Sequence, residues 1–459
     1  MLRREMKKSL LLPLLLVLFL SGRSRGASLS NAQYFFMVYP GCPDLKTAFS
    51  QASVDFANSA IQAVNYNYRQ CNFASTHVDE WQLPPVTQAN QHVITATDAG
   101  CNQILSPQCP KAKLSMSNNI FRPGGSGRGQ MPRLCEMEIA ATVLANKGIR
   151  VAKYNPLIVI FDGESGAGEA GQADELGASF AKVDDFNSLA STMIHELGHF
   201  NLLGHAYANV PGLVKEYGDR TCNMGMGGGV RTCFNAPHSN ALGWSRPVAV
   251  IDHGTQARDV WVPYNLPYFS TAERNHVVVN LGSVPTIFDN GAYDLIFLSI
   301  KSSKANPKID QGSWANYGMD DQLLVHLYNN ERVNYCYDPS KIWDPVRRKE
   351  VVPPPMDCPS DGIKYNDVKV NVYKVRTHSY LAANLNVRGL AEFGDVKVKV
   401  LYVSAPSGPG SSGVVHVCIY TVSGKCAVNE HFAVTTTSSN ATTEWINWQG
   451  QKGLRYAAF

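Results

Sequence analysis

The segment from His195 to His205 places three imidazoles and one carboxylate within eleven residues, and this spacing constrains the chain more than any other feature. In a helix, residues four positions apart lie one above the other, so His195 and His199 share a face. Glu196 follows the first histidine directly, as in the motif whose carboxylate is the general base toward a metal-bound water. Gly204 is expected to break the helix, which lets the chain turn back and bring His205 to the other two imidazoles.

Three imidazoles with a neighbouring carboxylate favour a catalytic zinc site. Imidazole nitrogens bind zinc at about 2.0–2.1 Å, and three protein ligands leave a fourth position open for water. Bound zinc would acidify that water and polarise a peptide carbonyl, while Glu196 passes the proton to the leaving amine. We therefore predict a zinc-dependent peptidase with ligands His195, His199 and His205. An exposed helix that carries these residues by coincidence is the weaker alternative, because the third imidazole also has the right offset.

The residues before this segment predict the helix itself. Asp184, Asp185 and Asn187 are start signals that favour the positive end of a helix dipole. Leu189, Met193 and Leu197 then recur every four residues and form an apolar stripe. The histidines and the carboxylate fall outside that stripe, so they are free to face a cleft.

Two segments downstream of the histidines carry a family resemblance. Residues 217–225 read Tyr-Gly-Asp-Arg-Thr-Cys-Asn-Met-Gly, and residues 233–244 contain Cys-Phe-Asn-Ala-Pro and Leu-Gly-Trp. With the histidine motif, these segments resemble the gametolysin family of the metzincin clan, most strongly across residues 185–245. The resemblance implies a secreted zinc endopeptidase that cleaves proline-rich glycoproteins of cell walls or extracellular matrix.

The same resemblance implies a fold and a set of site residues. The matching positions are His195, His199 and His205 for the zinc, Glu196 for the catalytic base and Met224 for the Met-turn. In a Met-turn, a methionine packs beneath the metal ligands as a soft, apolar floor. The implied fold class is an α+β metzincin-like catalytic domain with a twisted mixed sheet, an active-site helix and a Met-turn, followed by a β-rich C-terminal region.

The N-terminus has the pattern of a secretory signal peptide. Four basic residues precede an apolar run from Leu10 to Leu20, and small residues follow it. The run is shorter than the roughly 20 residues of a bilayer-spanning helix, so an uncleaved anchor is the weaker alternative, and no second stretch has spanning length. All 11 cysteines come after this leader, as expected of a secreted protein that folds in an oxidising compartment.

Proximity along the chain is the only guide to cysteine pairing, and it leaves the connectivity open. The pairs predicted in this way are Cys101–Cys109, Cys222–Cys233, Cys336–Cys358 and Cys418–Cys426. The second pair would clamp the loop that carries Met224.

Apolar patterns predict the other elements of the catalytic region. Helices are expected over residues 45–64 and 136–147, and buried strands over 34–39 and 156–161. A short strand is expected over 178–183, just before the histidine helix. By the resemblance this strand lies at the edge of the sheet, where it can pair with an extended substrate backbone.

After residue 255 the pattern changes to short alternating segments between turn clusters, which predicts an all-β region. These segments cover residues 277–281, 294–300, 322–328, 368–375, 396–403 and 414–420. We predict four parts: a signal peptide (1–26), a metzincin-like peptidase domain (27–255), its β-rich extension (256–350) and a C-terminal β-sandwich-like domain (351–459). The last part either binds a substrate glycoprotein or only stabilises the fold.

Charge narrows the choice of partners. The leader holds six basic residues and one acid, so the formal charge of +4 becomes −1 for the remainder. This balance predicts neither nucleic acid nor an anionic membrane as a partner, and leaves extracellular proteins or glycoproteins. A loop over residues 162–177 could hold calcium, although a solvated loop is the simpler interpretation. Its acids are Asp162, Glu164, Glu169, Asp174 and Glu175.

The sequence also allows a second, non-enzymatic function. The chain could be a matrix-binding or wall-binding protein with a catalytically impaired peptidase domain. Leu202 supports this slightly, because the metzincin pattern has glycine at that position. The complete set of three histidines and Glu196 argues for the enzyme.

Overall fold

A computed structural model was used to describe the fold. It describes residues 29–38, 50–73, 78–95, 148, 156–161, 171–173, 177–181, 185–201, 203–208, 216–252, 254, 258–281, 286–288, 291–306, 308–309, 316–328, 342–344, 349–351, 363–365, 368–370, 377–393, 396–403, 412–419, 426, 444–446 and 456–458. The leader, the helix predicted over 136–147, and the acids suggested for calcium lie outside these residues. So do Leu202 and both of the predicted disulfides Cys101–Cys109 and Cys336–Cys358.

The first sheet forms one side of the catalytic region. Its strands are β1 (Gln33–Val38), β2 (Gln91–Thr95), β3 (Leu157–Phe161), β4 (Gly171–Ala173) and β5 (Gly177–Ala181). The spatial order is β2-β1-β3-β5-β4, and every neighbouring pair is parallel except β4 with β5. The mixed sheet agrees with the predicted fold class, and the strands predicted over 34–39 and 156–161 are confirmed.

The strand predicted over 178–183 also forms, but its predicted place at the sheet edge is wrong. It is β5, and it is hydrogen-bonded to β3 on one side and to β4 on the other. Among the described strands of this sheet the outermost one on this side is β4, which lies in a segment predicted to be a loop. The sequence of β4, Gly-Gln-Ala, has no apolar alternation that would distinguish a strand from a loop.

Three helices occur in the described part of the chain: α1 (Gln51–Cys71), α2 (Phe186–Phe200) and α3 (Ala236–Ala241). Short 3₁₀ helices cover Val78–Trp81 and Phe269–Thr271. The helix predicted over 45–64 begins at Gln51, where the Ser50 side chain accepts a hydrogen bond from the Ser53 N–H and caps it. Among the described residues, no helix is both long and apolar enough to cross a membrane.

The central sheet contains strands from distant parts of the chain. It is formed by β6 (Leu203–Ala208), β7 (Arg246–Asp252), β9 (Arg274–Asn280), β12 (Leu295–Lys301), β13 (Gln322–Tyr328) and β18 (Thr377–Leu385). The order is β6-β18-β13-β12-β9-β7, and β6 pairs in parallel with β18. One continuous sheet thus contains strands from before residue 255, from 256–350 and from after residue 351. The domain boundaries at these positions stay a prediction.

The third sheet holds most of the C-terminal strands. Its members are β8 (Val262–Pro267), β19 (Leu390–Phe393), β20 (Val396–Val403), β21 (Ser412–Ile419), β22 (Glu444–Ile446) and β23 (Tyr456–Ala458). The order is β22-β23-β19-β20-β21-β8. Three separate hairpins pair β10 (Thr286–Phe288) with β11 (Gly291–Tyr293), β14 (Ile342–Asp344) with β15 (Lys349–Val351), and β16 (Ile363–Tyr365) with β17 (Val368–Val370).

The central sheet lies between two apolar cores, because alternate residues of a strand face opposite sides. Val278 and Phe297 belong to the core that also contains the buried faces of α1, α2 and the first sheet. Val277 and Leu298 belong to a second core, shared with β20 and β21 of the third sheet. The C-terminal strands therefore pack on the face of the central sheet that points away from the helices.

The side chain of His276, on β9, is fully buried, and this predicts how the protein responds to acid. Burial lowers the pKa of His276 from 6.5 to about 3. Between these two values the unfolded chain binds the proton and the folded chain does not, so stability falls as the pH drops below about 6.5. We expect His276→Phe to reduce that fall by up to about 1.4 kcal/mol per pH unit. Urea unfolding of the wild type and of His276→Phe at pH 7 and pH 5 measures this difference. The same pH dependence of stability in both proteins would contradict the prediction.

Candidate metal centre

The α2 helix places two of the predicted ligands. Its N-cap is Asp185, whose carboxylate accepts hydrogen bonds from the Asn187 and Ser188 N–H groups at 3.2 and 3.0 Å. Hydrogen bonding, first to Asn187, holds the pKa of Asp185 below its usual value. The predicted stripe of Leu189, Met193 and Leu197 is fully buried, which leaves the histidine face of the helix toward the site. The helix start and the core stripe predicted from sequence are confirmed.

The three predicted imidazoles converge on one point. One ring nitrogen from each of His195, His199 and His205 lies within 4.8 Å of the others. The Nε2 atoms of His199 and His205 are 3.0 Å apart. The structure therefore brings together all three residues chosen from the sequence, although they come from a helix and from the strand β6.

Each imidazole is oriented through its Nδ1 atom. His195 Nδ1 lies 2.7 Å from the Asn223 carbonyl, His199 Nδ1 lies 2.8 Å from the Leu203 carbonyl, and His205 Nδ1 lies 3.0 Å from Oε1 of Glu216. Carbonyl and ionised carboxylate oxygens only accept, so Nδ1 carries the hydrogen in each ring and Nε2 keeps its lone pair. This is the tautomer that a metal-binding histidine needs.

The chain reaches the third imidazole by a different route from the one predicted. The helix ends at Phe200, where the N–H and the side-chain amide of Asn201 both bond to the Leu197 carbonyl, at 3.0 and 2.8 Å. The prediction that Gly204 breaks the helix is wrong, because the Asn201 cap stops it earlier. Gly204 lies within β6, one residue before His205.

Hydrogen bonds hold the β6 strand on both edges. One edge pairs with β18, and on the other the Ala206 N–H donates to the Met224 carbonyl at 2.8 Å. The Ala206 carbonyl in turn accepts from the Asp219 N–H at 3.2 Å. The backbone beside His205 is therefore fixed from two directions.

Glu196 lies against the edge strand β4. Its side chain is buried, with 8% of its surface exposed. A Cβ atom added to Gly171 would lie 2.6 Å from Cγ of Glu196 and 2.8 Å from Cγ2 of Thr192. Only glycine fits at this position without moving Glu196. No sequence pattern singles out Gly171, because it lies in a stretch rich in glycine and alanine.

Met224 packs directly against the histidine helix. Its side chain is fully buried, and a Cβ atom added to Gly198 would collide with its sulfur. Because Gly198, which directly precedes His199, has no side chain, Met224 can approach the helix at this point.

The loop that carries Met224 is not clamped by the predicted disulfide. The Cys222–Cys233 prediction is wrong, since Cys233 is bonded to Cys71 at the end of α1, 162 residues away in sequence. Cys222 is a free, buried thiol, and burial raises its pKa. Proximity along the chain misled here because α1 packs beside this loop in space. The predicted Cys418–Cys426 disulfide is confirmed.

A buried hydrogen-bond network around Asp219 connects this loop to the central sheet. The Asp219 carboxylate accepts from the N–H and hydroxyl of Thr221 at 2.8 and 2.6 Å, from the Asn235 amide at 2.8 Å and from His326 Nε2 at 3.0 Å. Burial raises the pKa of Asp219, but His326 and these hydrogen bonds outweigh it and lower the pKa to about 2. The same Asn235 amide reaches Oγ of Ser379 at 2.6 Å. Strands β13 and β18 are thus both tied to the site loop.

Three further residues lie near the motif in sequence: Tyr207, Tyr217 and His238. The ring of Tyr217 lies 4.2 Å from the ring of His205, centroid to centroid, whereas the ring of Tyr207 lies 6.5 Å away. His238 is fully buried with its Nδ1 3.4 Å from Sγ of Cys222, so it belongs to the support of the loop. Of the three, Tyr217 is in closest contact with a predicted ligand.

The donor set fits zinc. One ring nitrogen of each histidine lies within 4.8 Å of the others, and the Nδ1 of each ring has a hydrogen-bond partner. Two tetrahedral ligands at about 2.0–2.1 Å from zinc would be about 3.3 Å apart, close to the observed 3.0 Å between His199 and His205. Protein donors occupy three positions, which leaves one coordination position open.

A helix with two histidines four residues apart, the carboxylate between them and a third histidine from the next strand define a metallopeptidase site. The family comparison agrees with this geometry. Residues 167–352 match the family model described as gametolysin peptidase M11. The match over this segment, together with the site, indicates a gametolysin-type metallopeptidase, which is a hydrolase; the family implies a metal, typically zinc. No curated protein matches the chain significantly.

The matched segment contains all the predicted site residues but not all of their support. It includes α2, β6 and the loop with Asp219 and Met224. It excludes α1 with Cys71, and it excludes β18 with Ser379. Residues on both sides of the match therefore contribute to holding the site.

Proposed function

We propose that the protein is a secreted zinc-dependent endopeptidase that hydrolyses peptide bonds in extracellular matrix or cell-wall glycoproteins, including proline-rich ones. The observation that carries the proposal is the convergence of His195, His199 and His205 beside the buried carboxylate of Glu196. The substrate class comes from the resemblance to the gametolysin family. The leader pattern and the Cys71–Cys233 and Cys418–Cys426 disulfides support secretion.

In this proposal His195, His199 and His205 hold the metal through Nε2. A zinc ion bound there would supply a Lewis acid for the peptide carbonyl and for water. Glu196 takes a proton from the attacking water and delivers it to the leaving amine.

The edge strand β4 is suited to align the substrate. β4 is the outermost described strand of the first sheet on this side, and an outer strand can offer backbone groups to an extended peptide, as in β-strand addition. Because Gly171 of β4 lies against Glu196, a peptide paired with this edge passes the catalytic base. In the metzincin interpretation, Met224 forms the apolar floor below the ligands.

Metal removal tests the proposed function. The purified protein should contain one zinc per chain, digest casein or gelatin, lose that activity on dialysis against a chelator and regain it when zinc is restored. Protein without stoichiometric metal, or digestion that persists after chelation, would refute the proposal. The same assay tests the alternative of a catalytically impaired binding protein, which would not digest either substrate.

A further inference from the structure

We propose that Glu216 is a positioning residue that orients His205 and strengthens metal binding. This inference rests on the proposed function, because it takes His205 as a metal ligand. The starting observation is an asymmetry among the three imidazoles. His195 and His199 donate to backbone carbonyls, whereas the partner of His205 is a side-chain carboxylate.

The position of His205 explains why such a partner is needed. His195 and His199 share one helix, so helical geometry alone sets their relative placement. His205 projects from β6 and remains 19% exposed, so the backbone does not fix the rotation of its ring. The hydrogen bond to Glu216 and the tilted ring of Tyr217, whose centroid lies 4.2 Å from that of His205, both restrict this ring.

The turn at Glu216 and Tyr217 is itself tied to the site. The Tyr217 carbonyl accepts a hydrogen bond from the Met226 N–H at 2.7 Å, two residues beyond Met224. The Asp219 N–H bonds back to β6. The carboxylate therefore reaches His205 from a backbone that is hydrogen-bonded both to the loop that carries Met224 and to β6.

A carboxylate in this position acts on the metal through the imidazole. It holds the hydrogen on Nδ1, leaves the Nε2 lone pair toward the other two rings, and increases the electron donation of that nitrogen. Removing such a partner typically weakens metal binding by about 10- to 100-fold. Glu216 is 53% exposed, so its ion pair contributes little to folding, and the effect should fall on metal affinity.

The test compares Glu216→Ala and Glu216→Gln with a matched control, Glu273→Gln. Glu273 is also an exposed carboxylate, with 43% of its side chain accessible, and it forms an ion pair with Arg246 at 2.9 Å. Arg246 lies on β7, which is at the opposite edge of the central sheet from β6. Zinc affinity is measured by competition with a chelating dye, and Co²⁺ absorption reports the coordination geometry. We expect about tenfold weaker zinc binding for Glu216→Ala, a smaller loss for Glu216→Gln, whose amide oxygen still accepts, and wild-type affinity for the control.

The outcomes separate this inference from the proposed function. Wild-type protein that binds no zinc would remove the proposed function and the role of Glu216 with it. If the wild type binds zinc and Glu216→Ala binds it equally tightly, only the positioning role is overturned. Equal losses in Glu216→Gln and Glu273→Gln would also overturn it, because they would indicate a general charge effect. If the metal-free Glu216→Ala protein unfolds at a markedly lower temperature than the metal-free wild type, the positioning role is overturned in favour of a structural role.

Discussion

The Glu196→Gln protein is expected to keep its zinc and to lose about 10²- to 10⁴-fold in kcat/KM for peptide hydrolysis. The amide has nearly the shape of the carboxylate, so it still fits against Gly171, but it cannot take a proton from water. The three imidazoles and their Nδ1 partners are unchanged, so the metal should stay. Cleavage of a fluorogenic peptide, together with zinc analysis of the same sample, measures both parts.

The control for this experiment is Glu273→Gln, the same substitution in an exposed ion pair away from the histidines. It should leave kcat/KM near the wild-type value. Near wild-type activity in Glu196→Gln would contradict the assignment of the base. Loss of zinc in that variant would instead mean that Glu196 has a structural part in the site.

Replacing His326 by phenylalanine is expected to lower the free energy of unfolding by about 3–5 kcal/mol. Both members of the Asp219–His326 pair are fully buried, and their atoms are 3.0 Å apart. Phenylalanine fills a similar volume but donates no hydrogen bond, so it leaves a buried carboxylate without its opposing imidazole. Urea unfolding at pH 7 measures the loss.

His276→Phe is the matched control for this prediction. His276 is equally buried on β9, and its described hydrogen bond is to the neutral Asn275 side chain at 2.9 Å. At pH 7 its replacement leaves no buried charge unpaired, so we expect a clearly smaller loss. Equal losses in the two variants would show that packing, and not the Asp219 pair, accounts for the effect.

The Asp219 network also bears on the C-terminal strands. Ser379 on β18 contacts Asn235 in the site loop, and β18 pairs with the strand that carries His205. These contacts give part of the C-terminal region a structural role in holding the candidate metal centre. Substrate binding by the third sheet stays a prediction.

Features determined by neighbouring residues could be predicted from the sequence alone. The shared face of His195 and His199, the Asp185 cap and the buried stripe follow from helix geometry over a few positions. The strand over 322–328 has the bounds expected from its apolar pattern. Such features need no knowledge of the rest of the chain, because their atoms are already close in the local conformation.

Contacts between distant segments were decided only by the tertiary structure. The Cys71–Cys233 disulfide joins residues 162 positions apart, and no local pattern pairs them. The carboxylate of Glu216 and the close approach of Gly171 to Glu196 depend on how loops and strands pack around α2. Sequence patterns identify which side chains can bind a metal. The partners that orient them are two backbone carbonyls, which any residue type could supply, and a carboxylate that only the tertiary structure brings to His205.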